Sequence, residues 1–168
     1  MYHARNIGLA KSGVKVQNTR NFEKLGASLV DLIGFLNSPQ RDDALLREAG
    51  VTLDRALFPL LVALGARGPL NVAELADQVG RDHTTVSRQL AKLETLNLIE
   101  RGGSDSDRRR RTAWLTGIGK RIVQAITLAR RRLLARALAD WSEADRAALA
   151  NLNRRFADTL VNLANDRT

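Results

Sequence analysis

The sequence predicts a mainly α-helical protein with one small β-hairpin wing. Three observations predict it. Leucine and alanine are abundant while aromatics make up only 4% of 168 residues, a balance that favours helices packed on helices. Apolar residues recur at helical spacing in stretch after stretch between Phe22 and Leu163. One segment, Leu98 to Leu115, breaks that rhythm: two short apolar runs flank a turn rich in Gly, Asp and Arg.

Residues 1 to about 20 carry Arg5, Lys11, Lys15 and Arg20 among glycines and small polar groups, with no long apolar period. They read as a flexible basic arm. One alternative has the arm on DNA phosphates or in a minor groove; the plainer one is a mobile or partner-packed tail. A first helix is expected from about Asn21 to Asn37, with Phe22, Leu25, Leu29, Leu32, Ile33 and Leu36 at helical spacing. Ser38-Pro39 ends it, because proline disfavours helical geometry in the residue before it. A short helix follows from Gln40 to Glu48. The next is expected to start at Thr52 as N-cap and run to Arg67, with Pro59 either bending it or delaying its start.

After Gly68-Pro69, Asn71 and Glu74 have capping-box spacing and open a helix that turns at Val79-Gly80. Asp82 caps a second helix running to about Leu96. The hairpin follows, with strands Leu98 to Arg101 and Arg111 to Leu115. Thr116 starts a helix with Ile118, Ile122, Ile126, Ala129, Leu133 and Ala137 along one face. Ser142 and Asp145 cap a last helix with a stripe of Leu149, Leu152, Phe156, Leu160 and Leu163.

Lysine and arginine outnumber acidic residues 27 to 18, giving a net charge of +9. That predicts attraction to a polyanion and steep salt dependence. Charge alone fits any protein with basic faces; its placement is more telling. There is no cysteine, which excludes disulfides, thiolate-metal sites and thiol redox sensing. His3 and His83 lie in no metal-ligand spacing. There is no paired-carboxylate motif, nucleophile–histidine pair or phosphate-binding glycine loop, so an enzyme is not expected and no cofactor is called for. No apolar run suits a membrane span or a signal-peptide core, which makes a cytoplasmic protein the expectation.

A helix, a tight turn, a second helix and then a basic hairpin make a winged helix-turn-helix, and that order points to double-stranded DNA. At 100° per residue, Val86, Leu90 and Leu93 share the inner side of the second helix. Thr84, Ser87, Arg88, Ala91 and Thr95 share the outer side, flanked by His83 and Lys92. Small polar groups allow close approach to base edges. Arg88 is the candidate for a bidentate guanine contact, worth about 1–3 kcal/mol of discrimination. Thr84, Thr85 and Ser87 are candidates for bases or phosphates. A solvated helix face is the bland alternative, and the hairpin weighs against it. Its tip holds Arg108, Arg109, Arg110 and Arg111, a cationic finger sized for a narrow minor groove. Asp107 is expected to pair with an arginine and fix the tip. Ala113 and Leu115 should face the core, with Thr112 and Trp114 facing away; Trp114 either packs locally or lines a ligand cleft.

The segment S-D-S-D-R-R-R-R-T-A-W-L-T from Ser104 to Thr116 resembles the wing signature of the MarR family (multiple antibiotic resistance regulators). That signature is D-P-x-D-R-R, followed by Leu-Thr whose threonine stands seven residues after the last arginine. Asp107, Arg108, Arg109, Leu115 and Thr116 match; Ser104 and Asp105 depart from the usual Asp-Pro. T-T-V-S-R-Q-L-A-K-L-E-T-L-N-L-I-E-R also resembles the family's recognition helix and first strand, with Asn97 where glycine is common. The resemblance runs roughly from Phe22 to Leu163. It implies a homodimer through the terminal helices, here Phe22, Leu25, Leu29, Leu152, Phe156 and Leu160. Two recognition helices would then sit about one DNA turn, ~34 Å, apart on a pseudo-palindromic operator. It also implies a repressor released by a small-molecule effector. The sequence names no ligand; Phe35 and Trp114 are candidate walls that core packing explains equally well.

The expected organisation is therefore an arm over residues 1–20, a helical dimerisation region over 21–50 and 116–168, and a winged helix-turn-helix DNA-binding domain over 51–115. The competing function is an architectural DNA-binding protein of low sequence preference, without an effector.

Overall fold

The structure, a computed structural model, describes residues 8–103 and 112–165, with side chains from residue 19 to 163 inside those limits. Seven helices and a three-stranded antiparallel sheet appear among the described residues. The mainly helical expectation holds. Several boundaries differ for identifiable reasons.

Helix α1 spans Gly8–Leu36. The expected start at Asn21 was too late, and residues 8–20 are helical where an irregular arm was expected. Nothing between Gly8 and Arg20 forbids a helix: no proline occurs there, and lysine and glutamine are good helix formers. The missing apolar period in the sequence does not preclude a helix. Residues 1–7 of the expected arm lie outside the described residues. Helix α2 spans Pro39–Glu48, with proline in its first turn, where its missing N–H is tolerated.

Helix α3 spans Phe58–Arg67, so Thr52 is not its N-cap. Pro59 decides this. Inside a helix its ring would clash with the carbonyl four residues back, so the helix begins beside it. Residues 51–57 form a turn instead, in which Asp54 Oδ1 accepts the amide hydrogen of Ala56 at 2.9 Å.

Strand β1, Leu70–Asn71, is an addition to the expected two-stranded hairpin. It pairs with β3, Thr112–Leu115, through Leu70–Ala113 and Asn71–Thr112. Strand β2, Ile99–Gly102, pairs with the other edge of β3. The order is thus β1-β3-β2. Two residues carry no readable strand pattern, and the rest of the support comes from a strand some 40 positions away.

Helix α4, Val72–Val79, has the expected capping box: Asn71 Oδ1 accepts from Glu74 N at 3.0 Å, and Asn71 N donates to Glu74 Oε2 at 2.8 Å. Helix α5 spans His83–Thr95 under the Asp82 cap. Helix α6 spans Gly117–Ala137 under Thr116, and α7 spans Glu143–Asn165 with Ser142 Oγ accepting from Asp145 N at 3.1 Å.

The main core joins Leu57, Leu60, Leu61 and Leu64 to Leu75, Ala76, Val86, Leu90, Leu93, Ile99 and Ala113. Full burial of each such leucine contributes about 1.5–3 kcal/mol. A second cluster, Leu45, Leu46, Phe58, Ile126 and Ala129, fastens α2 and α3 to α6. Ile126 and Ala129 lie on the expected stripe of α6; Ile118 at its start is exposed instead. Glu48 strengthens the α2–α6 joint, accepting from Arg132 Nε at 2.9 Å and Arg136 Nη2 at 2.7 Å.

The sheet meets α6 at a tight junction. Asn97 takes φ +56, the left-handed turn that leads out of α5. Leu98 O accepts from Thr116 N at 3.1 Å. Thr116 Oγ1 donates to Asn97 O at 2.8 Å and accepts from Gly119 N at 3.0 Å. A Cβ on Gly119 would collide with the carbonyl oxygen of Leu98, a backbone atom that cannot swing away. Gly119→Ala is therefore expected to destabilise the protein by about 1–3 kcal/mol, read as a lower denaturant midpoint with unchanged slope. A neutral outcome would mean that α6 shifts freely on the sheet.

Candidate nucleic-acid interface

The site rests on α5, which two features hold at its start and along its inner side. Asp82 Oδ1 accepts from Thr85 N at 2.8 Å. Hydrogen bonds from the Thr85 side chain, then its backbone N–H, hold the Asp82 carboxyl below the usual carboxylate range. Val86, Leu90 and Leu93 are fully buried, as the 100° rotation predicts. The opposite side is open: His83, Thr84, Arg88, Ala91, Lys92 and Thr95 are exposed, and Thr85 and Ser87 are half-buried. The expected reading-face residues therefore share one accessible surface, with Thr85 on its flank.

Lys92 is the exception to a free surface. Its ammonium lies 2.7 Å from Asp54 Oδ2, in the loop before α3. The Lys92 hydrogen bond is the leading cause that lowers the Asp54 carboxyl, followed by the Ala56 amide. Arg81, in the turn between α4 and α5, donates through Nη1 to Ala56 O at 2.7 Å and to Gln89 Oε1 at 2.9 Å. Sequence reading missed Asp54 and Arg81. No local pattern joins them to α5, although an acidic residue beside a turn and a lone arginine in a helix-turn-helix corner are signals of a kind. A cleft of about 340 Å³ opens beside them, lined by Asn37, Pro39, Asp42, Asp54, Arg55, Ala56 and Arg81. Burial raises the Asp42 carboxyl there, against the lowering pull of Arg55.

The base of the wing is ordered by its own side chains. Ala113 is buried and Leu115 packs on the core. Trp114 lies over Gly102, close enough that a Cβ there would clash with the indole ring, and its Nε1 donates to Glu100 Oε2 at 3.0 Å. Arg101 reaches Glu94 at 3.9 Å, and its buried Nε has no hydrogen-bond partner among the described residues. Asp107 and the four arginines Arg108, Arg109, Arg110 and Arg111 lie outside the described residues, as do Ser104 and Asp105. Phe35, the other candidate ligand wall, lies under the Arg41 guanidinium at 3.8 Å. Phe35 and Trp114 thus have different partners, and Phe35 is half exposed and outside both core clusters.

The six expected dimerisation residues occupy the two terminal helices. Phe22 is 72% exposed and Leu152 61%; Leu25 and Leu160 are also exposed, while Leu29 and Phe156 are half-buried. Leu25 of α1 and Leu152, Phe156 and Thr159 of α7 border a common cleft of about 340 Å³. Among the described residues, no helix is long and apolar enough to cross a membrane, and no group of His, Cys, Asp and Glu could hold a metal ion.

A capped helix pair with a tight corner, backed by a β1-β3-β2 sheet, defines a winged helix-turn-helix protein. A family model described as MarR family matches residues 51–110. An uncharacterized HTH-type transcriptional regulator, YxaD, of Bacillus subtilis (strain 168) is 32% identical over 109 residues, 65% of this chain and 76% of that protein. The chain belongs to the MarR family of transcriptional regulators. Its fold is similar to a MarR family protein from Bacillus stearothermophilus, with TM-score 0.68, 22% identity, and 83% of this chain and 97% of that one covered. It is also similar to Staphylococcus aureus MarR in complex with salicylate and kanamycin, with TM-score 0.64, 17% identity, and 84% and 96% covered.

The lowered carboxyls set an acid limit on this surface. The folded-state values of Asp82 and Asp54 lie below their unfolded values, so their stabilisation is complete above about pH 4 and is lost as pH falls through the folded values. Asp42, whose carboxyl is raised, works in the opposite sense. Thermal melts from neutral to strongly acidic pH should show a decline that starts below about pH 4. Asp82→Asn, which keeps the acceptor but cannot titrate, should shallow that decline. An unchanged acid limb would remove Asp82 from the account.

Proposed function

We propose that the protein is a sequence-specific double-stranded DNA-binding regulator, acting as a homodimeric repressor whose operator binding a small molecule modulates. The observation that carries this reading is the two-sidedness of α5. Three fully buried residues fix the helix, and the exposed Thr84 and Arg88 stand opposite them on a face small enough for a major groove. In this reading His83, Thr84, Thr85, Ser87, Arg88 and Lys92 meet bases and phosphates. Arg108, Arg109, Arg110 and Arg111, with Asp107 steadying the tip, reach the adjacent minor groove. Repression then needs only occupancy of the operator, and the protein works in the cytoplasm, where the DNA is.

Residues 51–115 read DNA in this account, while 21–50 and 116–168 pair two copies. The exposed apolar residues of α1 and α7 support the pairing, since a monomer seldom leaves so many together in water. Salicylate and kanamycin in the S. aureus MarR complex support an effector for this chain too. Two clefts bordered by the 51–57 loop offer room, the larger being about 530 Å³.

Selection of sheared genomic DNA by the purified protein, followed by sequencing, tests the reading. A set of sites sharing an inverted repeat is the expected result; even retention over the genome would favour an architectural protein. On a selected site, Arg88→Ala should lose about 1–3 kcal/mol of specific affinity and relax one position. Arg109→Ala should weaken all duplexes and flatten the salt slope by about one. Leu160→Glu, half exposed in the single chain, should give a folded, weakly dimeric species by sedimentation that no longer holds the operator.

A further inference from the structure

Lys92 stands one helical turn beyond Arg88 and about 40° around α5 from it, on the same accessible side. Its charge is already engaged. Asp54, which holds it at 2.7 Å, comes from 38 residues earlier in the chain. Asp54 is itself fixed: Oδ1 accepts from Ala56 N, and Ala56 O accepts from Arg81, which also grips Gln89 on α5. The 51–57 loop is thus fastened to α5 at two points. One of them presents a carboxylate at the rim of the reading face. The Lys92 and Asp54 side chains are 56% and 44% exposed, so a polyanion docked on that face would meet both.

We propose that Asp54 is an intramolecular competitor for DNA, a specificity-setting residue that occupies Lys92 until a phosphate takes its place. The inference rests on α5 being the DNA-contacting helix. A phosphate arriving at Lys92 must displace the carboxylate or share the ammonium with it, and the carboxylate repels the phosphate directly. An exposed ion pair is weak, so the exchange is open to a duplex whose other contacts are good and disfavoured for one whose contacts are poor. The coupling is reciprocal. DNA seated at Lys92 loosens the 51–57 loop from α5, and whatever tightens that loop weakens DNA binding.

Asp54→Asn tests this, because asparagine keeps the Oδ1 acceptor for Ala56 N and loses only the charge. The probe is a fluorescent mixed-sequence DNA duplex, titrated over a range of salt. Asp54→Asn is expected to bind about two- to fivefold tighter at low salt. Its log–log salt slope should be steeper by up to about one. In a Lys92→Ala background the same change should give a smaller gain. Unchanged or weaker binding by Asp54→Asn, with its melting midpoint retained, would overturn the inference. So would an equal gain without Lys92, which would make Asp54 a general repulsive charge. Arg109→Ala is run alongside. If the wild type binds no duplex, the reading of α5 falls and this inference with it. If the wild type binds, Arg109→Ala weakens it and Asp54→Asn does nothing, only this inference falls.

Discussion

Thr116 is where the arrangement is decided. Its amide donates to Leu98 O, its hydroxyl donates to Asn97 O, and the same hydroxyl accepts from Gly119 N. One residue thereby closes the exit of α5, the end of β3 and the start of α6 into a single knot. Leu98, Thr116 and Gly119 are buried, so their polar groups would be orphans without these bonds, and the three elements keep their relative positions or lose the bonds together. Gly119 makes the closeness possible, because only a residue without a side chain lets α6 sit on the Leu98 carbonyl.

From that knot two paths run in opposite directions. One passes through the paired strands to Trp114, which lies on Gly102 and fixes the base of the wing. The other passes along α6 to Ile126, Ala129 and the arginines that hold Glu48 at the end of α2. Helix α2 leads into the 51–57 loop, and that loop returns to α5 through Asp54 and Arg81. Helix α5 is therefore reached from both ends of one closed circuit. Packed elements with few alternative arrangements pass displacement on rather than absorb it. A change at the junction of the terminal helices and the winged domain has a physical route to α5.

What the sequence disclosed follows from range. Asn71 with Glu74, Asp82 with Thr85 and Ser142 with Asp145 are bonds between residues three apart, and each was readable as a cap. Val86, Leu90 and Leu93 were readable because one helical period places them together. Distance or competition hid the rest. Leu70–Asn71 becomes a strand only because Ala113 and Thr112 lie beside it. Thr52 looked like a cap, but Pro59 moved the helix start. Residues 8–20 lacked an apolar stripe, which says nothing about backbone propensity. Asp54–Lys92 and Glu48–Arg132 join residues 38 and 84 positions apart, and nothing local announces either. The exposed side of α5 was legible as composition, whereas the carboxylate on its rim was not.

The Asp82 cap has a consequence for the posture of α5. A helix N-terminus is a ready seat for an anion, because its free N–H groups and dipole point at whatever approaches. Here the chain has filled that seat with its own carboxylate. An incoming phosphate finds the donor at Thr85 taken and a like charge beside it. That makes end-on anchorage of the helix on a polyanion backbone less favourable, while Thr84 and Arg88 stay exposed along its side. The chain's own carboxylate thus weighs against one angle of approach before any partner arrives.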